Sequence, residues 1–382
     1  MLRRLLIVVA APLALGAVLY AAAQDYVEAA AFVVRAAEMG GLAGRAAALE
    51  AQALREHTDA LRWRDETLRA RIFEPQRVGR GAVLLVPGVH AGGIDEPRLV
   101  HFAREIAAAG HRVVTVELPD LARYEITPRT TDMIEAAGDW VAREWNDGHD
   151  ARARPVGIIG ISFGGGLAVV AAARLKDRVG WVLSFGGHGD LPRTLQYLCT
   201  GIEPDGSERP PHDYGVAVIL LGVADLVVPS DQVEPLRRGI LTFLEASHLD
   251  MTDKDQAAAV FREAHEMAAA MDEPARTYMG WVNARDVGQL GPALLPHLGA
   301  LAGDPALSPE RHAPPSAPVY LLHGADDNVI PAVESELLAA ALRRQGTRVT
   351  QLATPLITHA ELDRRPGPAE VWRLVRFWAG PM

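Results

Sequence analysis

The segment from Arg154 to Leu175, RPVGIIGISFGGGLAVVAAARL, constrains the fold of this chain more than any other. One apolar run reaches Ile161 and a second starts at Leu167, with Ser162 and a group of glycines between them. The first run is short and β-branched, as a strand buried on both faces is. The second is longer and rich in alanine, as a buried helix is. Passing directly from one to the other needs a sharp turn. Only small residues two before and two after Ser162 let the backbone approach itself that closely, and Gly160 and Gly164 stand there.

The same rhythm runs through most of the chain. From about Leu68, LRARIFEP alternates like an edge strand, and GAVLLVPG (Gly81 to Gly88) reads as a buried parallel strand. A helix with Pro97 near its start and Gly110 after its end follows, then the strand HRVVTVELP and the helix TTDMIEAAGDWVAREW. VGWVLSFGG, PVYLLHGADD and TRVTQLA are further strands, and AVESELLAAALRRQG and PAEVWRLVRFWAG further helices. This alternation predicts an α/β fold, a mostly parallel doubly wound sheet with helices on both faces. The rhythm is lost from about 191 to 316, where helical patterns predict a cap inserted over one edge of the sheet. Within it, Tyr214 to Val228 carries the β-branched residues of a strand, but its length favours a helix with Asp213 as N-cap and Pro229 as stop.

The N-terminus is expected to meet a membrane. Arg3 and Arg4 precede an uninterrupted apolar run from Leu5 to Ala23, close to the roughly 20 residues a helix needs to cross a bilayer. The arginines would stay on the cytoplasmic side and send the rest to the periplasm or exterior. Ala21-Ala22-Ala23 also suits signal cleavage, which would leave a secreted protein. The expected divisions are therefore an anchor or signal over 1–23, two helices over 24–63 forming a stalk or a brace on the main domain, and the α/β domain over 64–382.

Composition excludes several classes. A formal charge of −10 argues against nucleic acid, which requires a basic face. The single Cys199 excludes an internal disulfide and any paired-cysteine metal site. No metal-ligand spacing, phosphate loop or dinucleotide signature is present, so neither a metal nor a cofactor is expected.

The motifs GISFGG, VPGVHAGG, LLHGADDNVIP and THAEL together resemble the α/β-hydrolase superfamily, in particular its esterase, lipase and dienelactone-hydrolase-like members, over about Leu68 to Ala379. The resemblance implies a serine hydrolase acting on a small-molecule or lipid ester. Ser162 would be the nucleophile, and the chain order serine, acid, histidine assigns Asp327 and His359. Asp326 is the neighbouring alternative. The oxyanion hole would come from the amide of Phe163 and that of Val89 or His90. LLGVADLVVP offers a second acid at Asp225, with His248 downstream, but no strand pattern lies between them. LSFGG at Leu183 lacks the glycine two residues before Ser184, so Ser184 is given no catalytic role. An acyltransferase or peptidase would use the same residues, and a non-catalytic scaffold could share the fold.

Overall fold

The structure, a computed structural model, describes residues 23–146, 155–250, 252–357 and 367–381. A helix over 23–36 (α1) leads to α2 (Gly41–Leu49), then to strands β1 (Leu54–Trp63), β2 (Glu66–Pro75) and β3 (Ala82–Val86). There follow α3 (Pro97–Ala108), β4 (Arg112–Val116), the short α4 (Pro119–Ala122), α5 (Pro128–Asn146), β5 (Val156–Ile161), α6 (Phe163–Leu175) and β6 (Val179–Phe185). Among the described residues seven α-helices lie in the insertion: α7 (Leu191–Thr200), α8 (Asp213–Val227), α9 (Ser230–Leu249), α10 (Lys254–Ala270), α11 (Ala275–Asn283), α12 (Val287–Leu294) and α13 (Leu298–Ala302). The chain then closes with β7 (Val319–Gly324), α14 (Val333–Arg344), β8 (Val349–Thr354) and α15 (Pro368–Trp378).

Among the described residues the sheet has eight strands in the order β1-β2-β4-β3-β5-β6-β7-β8. β1 pairs with β2, and β2 with β4, antiparallel; the remaining pairs are parallel. β3 is buried at every position, because both of its faces are covered. Leu84 and Val86 meet one apolar layer, with Met133 and Ile134 of α5, Leu167 of α6 and Leu338 of α14. Val83 and Leu85 meet the other, with Phe32 of α1, Ile106 of α3 and Trp378 of α15.

Of the segment expected to form a helical stalk or brace, residues 23–36 and Gly41–Leu49 are helical and Leu54–Trp63 is a strand. α1 and α2 brace the domain: Phe32 is buried against Phe102 and Trp378, and Arg35 bonds Glu105 at 2.7 Å and the Ala47 carbonyl at 3.1 Å. Leu54–Trp63 is an edge strand of the sheet, so β2 lies inside the sheet and is not its edge. The insertion is helical, as expected. α8 is a helix, with His212 and not Asp213 as its N-cap; the His212 ring accepts from the Tyr214 amide at 3.2 Å. Residues 1–22, with most of the expected membrane segment, lie outside the described residues. Among the described residues no helix is long and apolar enough to cross a membrane.

Candidate active site

The residue following β5 is Ser162, and its backbone is held at φ 54°, ψ −132° before α6 begins at Phe163. This region is unfavourable for any residue with a side chain. Positive φ alone does not mark a site, since the exposed Lys176 at the other end of α6 adopts φ 51°, ψ −123°. What distinguishes Ser162 is its place at the carboxyl end of a central strand, where open α/β sheets bind ligands. Its amide donates to the Phe185 carbonyl at 2.8 Å, which ties the turn to the end of β6.

The two flanking glycines answer to different neighbours. A Cβ on Gly160 would lie 2.3 Å from the Gly164 carbonyl oxygen, the close self-approach of the turn. A Cβ on Gly164 would lie 2.2 Å from the Pro87 carbonyl oxygen, so this glycine makes room for the loop leaving β3. Below the turn, Ser184 is buried with its hydroxyl against Gly165 and Gly187, a packing position. His188 is fully buried, bonds the Leu307 carbonyl at 2.7 Å and packs its ring 5.5 Å from that of Phe163.

The loop after β3 stands beside Ser162; a Cβ on Gly88 would lie 3.2 Å from the Ser162 Cβ. Of the two expected donors on this loop, the His90 amide is already committed to the Leu121 carbonyl at 3.2 Å. The amides of Val89 and Phe163 bond no acceptor among the described residues. Two unengaged amides, one at a helix N-terminus, form a setting that favours negative charge.

Asp327 sits in the loop between β7 and α14, buried, while its neighbour Asp326 is exposed. Its Oδ1 accepts from the amides of Val329 at 2.8 Å and Ile330 at 3.0 Å. Its Oδ2 faces Gly186, whose added Cβ would lie 3.6 Å away. Ser162 and Asp327 thus flank the Phe185–Gly186 end of β6. His323 supports this loop: its Nε2 bonds the Ile330 carbonyl at 2.7 Å, and its Nδ1 the Ser335 hydroxyl at 2.6 Å. At 3.5 Å from Asp327 Oδ2, the same Nε2 is committed to the shorter contact.

His359 lies outside the described residues. β8 ends at Thr354, whose carbonyl accepts from the Ala325 amide at 2.9 Å, which sets the end of this strand beside the loop that carries Asp327. The alternative acid, Asp225, is on α8 with its side chain exposed, 3.8 Å from Arg237. Cys199 is buried on α7, and burial pushes its thiol up to about 12, away from nucleophilic chemistry at neutral pH. Among the described residues no three His, Cys, Asp or Glu side chains gather as a metal site.

Two residues gain a place here that the sequence does not reveal. The Tyr214 hydroxyl, from α8, donates to the Val89 carbonyl at 3.1 Å. His248, near the end of α9, brings Nδ1 to 3.1 Å from His90 Nε2. Burial, with His248 nearby as the second cause, pushes His90 down to about 4. The pairs are separated by 125 and 158 residues, and no local pattern signals either.

No family profile matches the chain, and no curated protein does. Several solved structures resemble it. The esterase of Pyrobaculum calidifontis is 16% identical, over 94% of this chain and 92% of that one, with a TM-score of 0.48. A thermostable carboxylesterase cloned from a metagenomic library is 15% identical over 86% and 90%, with a TM-score of 0.48. The acylaminoacyl peptidase of Pyrococcus horikoshii is 14% identical over 86% of this chain and 40% of that one, with a TM-score of 0.46.

Proposed function

We propose that this chain, whose fold fits the α/β-hydrolase architecture, is a serine hydrolase that cleaves a carboxylic ester through an acyl-enzyme. The observation that supports this most is the strained, buried Ser162 beside the amides of Phe163 and Val89, which bond no acceptor among the described residues. In this reading Ser162 Oγ attacks the acyl carbonyl as its proton passes to His359, and Asp327 orients that imidazole. The carbonyl oxygen becomes an oxyanion held by the two amides. The C–O bond to the leaving alcohol breaks, and His359 returns the proton to that oxygen. Water then gives a proton to His359 and attacks the acyl-enzyme, releasing the acid and restoring Ser162.

The cap stands over this end of the sheet through Tyr214 and His248, so it would select the acyl or alcohol portion, including hydrophobic or lipid-like groups. We further propose that residues 5–23 anchor the chain in a membrane, with the domain on the periplasmic or outer side. The test of the function is turnover of p-nitrophenyl esters of graded chain length. Ser162→Ala is expected to reduce kcat by at least about 10³-fold with an unchanged circular dichroism spectrum. Undiminished turnover would refute the assignment.

A further inference from the structure

We propose that Tyr214 and His248, both on cap helices, are positioning residues for the oxyanion loop, so that the cap sets the rate of the chemistry as well as the choice of substrate. The proposal rests on the reading of Ser162 as nucleophile and of Val89 as an oxyanion donor. The peptide between Val89 and His90 is the point of attachment. A peptide unit is planar, so fixing both of its polar ends fixes its plane. Here the carbonyl end accepts from Tyr214 of α8 at 3.1 Å, and the amide end donates to Leu121 of the domain body at 3.2 Å. The peptide is therefore clamped between cap and body. The neighbouring Val89 amide, which has no acceptor of its own among the described residues, takes its direction from that clamp.

The His90 side chain adds a second tie. The Gly92 amide donates to His90 Nδ1 at 3.0 Å, so Nδ1 carries no proton. The neutral ring must then carry its proton on Nε2 and donate it to His248 Nδ1 at 3.1 Å. This order of donors requires a neutral His90. The charged and titratable groups around it are His248 on α9 and Glu96 and Arg98 at the start of α3. Burial holds the ring neutral down to about pH 4, so the tie is intact at neutral pH. Two cap helices thus reach one turn of the loop from separate points.

The test compares Tyr214→Phe, His248→Leu and His248→Asn by steady-state kinetics on a p-nitrophenyl ester at pH 7.5. Tyr214→Phe removes one oxygen and keeps the ring, and it is expected to lower kcat about tenfold or more with KM within about twofold. His248→Leu is expected to behave alike. His248→Asn keeps an acceptor for His90 Nε2 and is expected to recover most of that loss. Unchanged kcat in Tyr214→Phe and His248→Leu, or effects confined to KM, would overturn the proposal. An Asn variant as slow as the Leu variant would overturn the hydrogen-bond account of His248. Tyr214→Phe carries the test even where a His248 variant does not fold. Labelling of Ser162→Ala by a fluorophosphonate is run alongside. Labelling that persists there sinks the nucleophile itself, whereas labelling lost there with normal kcat in the cap variants sinks only the clamp.

Discussion

The Ser162 amide donates to the Phe185 carbonyl at 2.8 Å, which pins the residue at the elbow to the end of the neighbouring strand while its backbone stays at φ 54°. The surrounding sheet holds a conformation that the isolated residue would avoid. Glycine has no Cβ and accepts positive φ at little cost. Ser162→Gly is therefore expected to be more stable than Ser162→Ala by about 1 kcal/mol, both being inactive. Urea unfolding of the pair checks this, and equal midpoints would show that the elbow stores no strain.

The elbow glycines are expected to tolerate no side chain. In Gly160→Ala the new methyl would meet the Gly164 carbonyl oxygen at 2.3 Å, and in Gly164→Ala the Pro87 carbonyl oxygen at 2.2 Å. Both contacts are to backbone, which cannot swing away. Each substitution is expected to destabilise by about 1–3 kcal/mol and to lower ester turnover at least tenfold. Wild-type turnover with an unchanged melting temperature in either variant would contradict this packing.

Where the sequence is legible here, the signal is local. The passage from Ile161 through Ser162 to Leu167 shows strand, turn and helix within a dozen residues, and the structure follows it. β1 escapes because LREHTDALRW is mostly charged or polar, and as an edge strand it buries only Leu61 and Trp63. His90 and Tyr214 are visible as residues, but their ties to His248 and Val89 depend on how the cap folds back over the sheet. Gly164 shows a related gap: the spacing explains a tight turn, yet the atom that excludes a side chain belongs to Pro87 on another strand's loop.

Asp327 and Asp326 are adjacent in sequence and opposite in setting, one buried against two amides and the other exposed. Asp327→Asn keeps an oxygen for those amides and so is expected to fold, yet to lower kcat by about 10⁴-fold through the wrong histidine tautomer. Asp326→Asn is expected to stay within about twofold of the parent. Kinetics of the two variants decide between them, and the reverse pattern would move the acid to Asp326.

Stability is expected to fall on mild acidification. Burial pushes His111, beside Arg80, down to about 3, and pushes His90, beside His248, down to about 4. Unfolded, both rings take up protons near pH 6.5. Between about pH 6.5 and 4 the unfolded chain therefore binds more protons than the folded one, so stability drops as pH drops and levels off above 6.5. A fully buried histidine contributes a slope of up to about 1.4 kcal/mol per pH unit. Urea melts from pH 7.5 to 4.5 are expected to show a smaller slope in His111→Leu than in the parent. Identical slopes would show that His111 is not held neutral by the fold.

The most direct measurement is the site of covalent capture. The full chain is treated with a fluorophosphonate, digested and mapped by mass spectrometry. One adduct is expected, on the peptide carrying Ser162, absent from Ser162→Ala and suppressed in His359→Ala. An adduct on another serine, or an unlabelled Ser162 in a folded protein that still turns over ester, would contradict that expectation.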